Sequence, residues 1–349
     1  ELEVNGSCWQ VPLVGGVLDK VFAEPETLSV QKLGVLYDAH PALTTPDWAT
    51  YTTLTIQSAD GAPLFTGSAS EYDSFLFPAN GEYKAQMTVW RLPAGGLVTR
   101  FEGGSNGAVR KNSGLEHPAK PSGWYSFSFR FTLQASANVE LSAERVEQGG
   151  IVGVAITGMV GETAPTVETD LGSVQCTRSP SGWRAYIPAA YNASAGAHDV
   201  TLTVNGEVLT KTLTVLPKDF GTAEVEAEPA PTEAANTEFR NSIWPLYEQP
   251  AQEKLWSGGF VCPAEDYLVL LDFGQIKITN GQQGSKSNST KLYTIPGDPA
   301  RAPADGTVAF AGNLALTGST VVIDHGCGMR SYLYGLQTLS VTRGQTVEK

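Results

Sequence analysis

Residues 321–349 read VVIDHGCGMRSYLYGLQTLSVTRGQTVEK. The β-branched run Val321-Val322-Ile323 leads into His325-Gly326 and a Gly-rich turn. A Tyr-rich strand with Tyr332 and Tyr334 follows, then Val341-x-x-Gly344-x-x-Val347. Short β runs alternating this closely with turn residues predict a compact antiparallel domain. The same alternation extends upstream through 302–312 and 317–326, where Gly306 and Gly318 are expected to supply positive φ.

The rest of the chain carries the same signature. Alternating apolar and polar runs bounded by Gly, Pro, Asn and Asp dominate, and helical spacing is scarce. At 349 residues the chain exceeds one ordinary core, and its 41% hydrophobic content is enough to fill several. No apolar run approaches the roughly 18 residues that span a bilayer. The chain begins at Glu1, so any signal or anchor segment is expected to precede it.

The net charge of −13 argues against nucleic acid and anionic membrane surfaces as partners. From Ser257 to Lys349 seven basic and seven acidic residues balance, so the whole acidic excess lies upstream. Cys8, Cys176, Cys262 and Cys327 show no Cys-x-x-Cys spacing, which disfavours a structural zinc site. A Cys262–Cys327 disulfide and two reduced thiols are both open, because spacing does not supply the geometry.

The expected fold class is all-β. Two immunoglobulin-like β-sandwiches are placed at 1–133 and 134–217, an acidic Pro/Ala-rich linker and clasp at 218–256, and an antiparallel β domain at 257–349. In the first module Tyr125, Phe127, Phe129 and Phe131 alternate with polar residues at period two. A long mobile loop is predicted over 103–122. In the second module Asn205-Gly206 between alternating runs predicts a hairpin, and Trp183 is expected in the core. The stretch 221–238 holds five glutamates and no Lys or Arg, and reads as a structureless tether. A short helix or clasp is expected within 239–256.

The phrases APADGTVAFAG (302–312), LTGSTVVIDHGCG (316–328) and VTRGQTVEK (341–349), with DFG at 272–274, resemble the lysostaphin-type (LytM-like) zinc endopeptidases. The resemblance runs from Phe260 to Lys349. It implies a β-rich fold and, in an intact member, zinc-dependent cleavage of peptidoglycan cross-links. Immunoglobulin-like or other β modules often precede the enzyme domain in that family.

The family's first two metal ligands form a His-x-x-x-Asp motif. Counting back from the APADG phrase, Ser287 stands at the histidine and Lys291 at the aspartate. A serine hydroxyl is a poor zinc donor and an ammonium repels the ion. From Phe273 to Gly297 there is no His, Asp, Glu or Cys to take their place. Gly335 stands where the family keeps a catalytic histidine, and glycine has no side chain for acid–base work. The third ligand, from a His-x-His motif, would fall beyond Lys349.

His325 is read as a hairpin-structuring residue. Coordination by His325 with Asp324 or Cys327 is the weaker reading, since neighbouring strand residues point to opposite faces. His40, His117 and His198 read as surface or loop histidines. The residues expected to line a degenerate groove are Ser287, Lys291, His325, Tyr332, Tyr334 and Gly335. No cofactor is expected.

The resemblance, with its site residues replaced, implies a non-catalytic protein of the extracellular space or cell envelope. It would bind peptidoglycan or an envelope protein as a scaffold or regulator. One alternative is an active zinc endopeptidase recruiting Asp272, Asp298 or His325. Another is a surface adhesin or stalk.

Overall fold

The structure, a computed structural model, describes residues 2, 4, 6–12, 18–23, 30–92, 98–100, 116–118 and 122–349. Most of the loop expected over 103–122 lies outside them. The described chain is almost wholly β and divides into two compact units. One comprises 1–137 and 158–163, the other 138–157 and 164–349.

In the first unit the strands are β1 (Gly6–Pro12), β2 (Leu18–Ala23), β3 (Gln31–Leu36), β4 (Tyr51–Ser58) and β5 (Pro63–Ser68). After the single-turn helix α1 (Ala69–Tyr72) come β6 (Gly81–Arg91), β7 (Val98–Arg100), β8 (Glu116–Pro118) and β9 (Gly123–Leu133). Seven of these strands form one sheet in the order β2-β1-β9-β6-β4-β5, with β3 also on β9; β7 and β8 pair separately. The period-two pattern of β9 buries Phe127, Phe129, Phe131 and Leu133 against Tyr83, Ala85, Met87 and Val89 of β6. Tyr125 packs at the edge of that core rather than inside it.

The second unit opens with β10 (Asn138–Leu141), β11 (Arg145–Glu147), β12 (Ile151–Thr157), β13 (Thr166–Glu168), β14 (Thr177–Ser179), β15 (Gly182–Pro188), β16 (Gly196–Val204) and β17 (Glu207–Leu216). They form two four-stranded sheets, β10-β12-β15-β14 and β11-β17-β16-β13. Each buries alternate residues: Val152, Val154, Ile156, Trp183, Ala185 and Ile187 in one, Val200, Leu202, Val204, Leu213 and Val215 in the other. That is the β-sandwich pattern. The expected hairpin is present, with Val204 opposite Glu207 and both Asn205 and Gly206 at positive φ. Those are the dihedral signs of a type I′ turn.

The remaining elements are β18 (Thr222–Glu224), α2 (Glu233–Tyr247), β19 (Leu268–Leu271), β20 (Ile276–Thr279), β21 (Gln282–Lys286), β22 (Lys291–Tyr293), β23 (Gly306–Leu314), β24 (Gly318–Gly326), β25 (Met329–Leu336) and β26 (Thr346–Val347). A four-stranded sheet β25-β24-β23-β26 is their centre. The acidic stretch is no free tether. Thr222–Glu224 pairs in parallel with Ile276–Ile278, and Thr232 caps a fifteen-residue helix by accepting the Ala235 N–H.

The sandwich and the C-terminal part share contacts within this unit. Phe273 packs edge-on to Tyr191, Tyr186 packs against Trp256, and the Lys286 ammonium donates to the Tyr191 carbonyl. At the β24–β25 hairpin Cys327 Sγ lies 3.0 Å from Thr177 Oγ1, and Cys327 N–H donates to the Gln252 carbonyl. Cys327 is therefore a buried free thiol. Cys262 is free and exposed, so the disulfide alternative falls away.

Two glycine expectations divide. Gly318 has φ +66°, as the turn requires. Gly306 does not sit at positive φ. A Cβ there would lie 2.6 Å from the Asp324 carbonyl oxygen and 2.9 Å from His325 Nδ1, so close strand approach is what excludes a side chain.

Candidate functional site

Strand β24 is the spine of the candidate site. Its residues from Thr320 to Gly326 are all buried, because β23 and β25 flank it while α2 lies across one face. Helix residues Phe239, Ile243 and Leu246 recur at i, i+4 and i+7, one stripe of a helix. Ile243 and Leu246 pack with Leu314 and Val322, and Phe239 and Tyr332 close the margin.

Tyr332 and Tyr334 come together with this helix. Their rings are 6.3 Å apart, Tyr332 lies 6.2 Å from Tyr247, and Tyr334 lies 6.4 Å from Phe239. Burial pushes both phenols up, Tyr334 to about 12, and the nearby Tyr247 adds to the effect on each. Neither is poised to exchange a proton near neutral pH. These rings act as wall rather than as acid or base.

His325 is fully enclosed. One ring nitrogen, Nδ1, is 2.9 Å from the Asp305 carbonyl and the other, Nε2, is 2.8 Å from Ser331 Oγ. The Phe260 ring meets it edge-on at 4.8 Å. With both nitrogens engaged, the imidazole ties β24 to the 305 turn and to β25. Neighbouring Asp324 is also buried and turns elsewhere, its carboxylate 3.2 Å from the Arg330 guanidinium and accepting the Gly326 N–H at 2.8 Å.

Ser287 and Lys291 flank the turn from β21 into β22 and belong to other networks. Ser287 is buried, and its hydroxyl donates to the Ser289 carbonyl at 2.7 Å. Lys291 reaches Glu228 at 2.8 Å, an ion pair exposed on both sides. The structure thus brings Tyr332, Tyr334 and Gly335 together on β25, while the hydrogen bonds of Ser287 and Lys291 run to Ser289 and Glu228. Gly335 has φ +66° and open space where a Cβ would stand, and its N–H donates to the Thr317 carbonyl.

Zinc does not fit these residues. A hydrolytic site needs three donors and an open position, whereas here a hydroxyl is spent on a carbonyl, an ammonium is salt-bridged and the imidazole is saturated. Among the described residues no group of three or more His, Cys, Asp and Glu is placed to hold a metal ion.

His198 departs from the surface role expected of it. It is buried in β16, with Nδ1 2.9 Å from Asp170 and Nε2 2.8 Å from the Ser194 carbonyl. It shares the buried positions of β16 with Val200, Leu202 and Val204, an alternation the sequence shows, so the signal was available. His40 does sit in a loop, half-buried against the Tyr72 carbonyl. The side chain of His117 lies outside the described residues.

Residues 285–349 match the family described as Peptidase family M23. No curated protein matches the chain. Among solved structures, a proposed peptidase M23 from Pseudomonas aeruginosa is 18% identical, covering 58% of this chain and 78% of its own, with a TM-score of 0.40. A chimeric titin Z1Z2 tandem is 15% identical over 54% of this chain and 96% of its own, with a TM-score of 0.19. A Bacteroides ovatus SGBP-B, solved with a mixed-linkage heptasaccharide, is 12% identical over 94% of this chain and 68% of its own, also at 0.19. No described helix is long and apolar enough to cross a membrane.

Proposed function

We propose that this is a cell-envelope protein whose M23-type segment binds rather than cuts. It would serve as a scaffold or regulator that holds peptidoglycan or an envelope protein, and it would need no metal cofactor. The observation that carries this reading is the state of the three replaced positions. Ser287 is buried and bonded internally, Lys291 is salt-bridged, and Gly335 has no side chain. Metal-assisted hydrolysis depends on acidifying a bound water, and these residues supply no grip for the ion that would do it.

Of the groove residues expected from the sequence, Tyr334, Gly335 and Lys291 are exposed, Lys291 on β22 and paired with Glu228. Tyr332 is half-buried, its ring against those of Tyr247 and Tyr334. Ser287 and His325 are interior supports. Co-sedimentation of the full chain with purified peptidoglycan, scored for both binding and release of free amines, tests the proposal. Binding without release supports it. Amine release that a chelator stops refutes it and favours the active endopeptidase.

A further inference from the structure

The two-stranded ribbon β19–β22 carries an apolar surface left exposed among the described residues. Leu268 lies directly opposite Tyr293 across the ladder, and the two are 66% and 55% exposed. Leu270, at the irregularity between Val269 and Leu271, is 62% exposed, and Ile295, two residues beyond Tyr293, is 61% exposed. Half-exposed Val269 and Tyr267 extend the surface, and only Leu271 turns fully inward. Among the described residues β19 pairs with β22 alone, so one edge of each strand lacks a partner. An open, largely apolar strand edge is a liability that proteins cover or blunt with charge.

We propose that this ribbon is the self-association surface of the protein, meeting the same ribbon of a second copy across a two-fold axis. Three observations select a second copy as the occupant. The first is charge. The chain bears −13, which repels a like copy, but 257–349 is formally neutral and 268–271 reads Leu-Val-Leu-Leu. The one charged residue of the paired strands, Lys291, is already held by Glu228.

The second observation is area. Successive strand residues point to opposite faces, so one contact can cover the face of Leu268, Leu270, Tyr293 and Ile295. At about 150 Å² a side chain, their exposed fractions come to on the order of 400 Å² per copy. Two copies would remove roughly 800 Å², the size of a weak, transient contact. The third is shape. A short ribbon with exposed residues on both strands is complementary to its own image, as an isologous contact requires. The expected product is a weak, closed dimer.

Sedimentation velocity of the full chain from about 1 to 300 µM tests this. The wild type should pass from monomer to dimer within that range, with no larger species. Raising the salt several-fold should leave the association unchanged or tighter, since screening weakens charge-held contacts and spares apolar ones. The double variant L268K/Y293K, both positions exposed, should weaken dimerisation at least about a hundredfold while its thermal melt stays that of the wild type. A wild type that stays monomeric throughout overturns the proposal. So does a variant that dimerises undiminished, or association that grows without closing at two. A monomer that binds lipid vesicles through this ribbon would equally overturn it, assigning the face to a membrane surface instead.

Discussion

Replacing Asp324 by Asn isolates a buried charge at the root of the β24–β25 hairpin. Asp324 and Arg330 are 8% and 6% exposed and 3.2 Å apart, and they sit opposite each other in the ladder. Asn keeps an acceptor for the Gly326 N–H but removes the negative charge facing the guanidinium. Arginine cannot shed its proton to escape. Removing one partner of such a pair costs about 3–5 kcal/mol. For a cooperative unit of about two hundred residues, each kcal/mol lowers Tm by about 2–4 °C. The expected drop is therefore on the order of 6–20 °C by differential scanning calorimetry. The pair is not itself a large net stabiliser, so D324L/R330M should recover most of the loss. A D324N melt within about 1 °C of wild type, or a double variant no better than the single one, would mean that Arg330 does not depend on the Asp324 charge.

Two further outcomes follow from packing and charge. Ile243→Ala empties the point where α2 meets Leu314 and Val322; with Ile243 fully buried, the loss should be about 2–5 kcal/mol by urea denaturation, and a loss below about 1 kcal/mol would mean the helix only rests on the sheet. The Ser194 carbonyl, then Asp170, hold the His198 imidazole above its ordinary value. Its protonation therefore favours the fold below pH about 6.5, and that contribution fades as pH rises through the higher folded value. The stability advantage of wild type over His198→Gln should shrink between pH about 6 and 9, and an advantage that grows with pH contradicts the assignment.

The fold was readable wherever one face of a strand is buried. Phe127, Phe129 and Phe131 announce β9 by their spacing, and Asn205-Gly206 announces its hairpin by turn chemistry. The helix α2 was harder to see. A short helix or clasp is expected only within 239–256, whereas α2 already begins at Glu233. Its first turn lies in an acidic run and Pro245 stands inside it, and both features weigh against a helix of this length. Tertiary packing on Val322 overrides them. Parallel pairing of Thr222–Glu224 with β20 left no local mark at all, because its partner is about fifty residues away.

The site was legible as chemistry and not as geometry. Residue identities alone placed a hydroxyl, an ammonium and a bare backbone where the family resemblance expects donors. That Ser287 is bonded to Ser289, Lys291 to Glu228, and His325 to both Asp305 and Ser331 could come only from the folded chain. Gly306 shows the same limit. The sequence marks a glycine, but only the approach of β24 explains why it must be one.

The account rests on the absence of a grip for zinc, and metal content reads that directly. The 349-residue chain, equilibrated with excess zinc near pH 7, passed through gel filtration and analysed by plasma mass spectrometry, should retain far less than one ion per chain. One tightly held zinc per chain, with peptidoglycan turnover lost on chelation and regained on adding the metal, would contradict it.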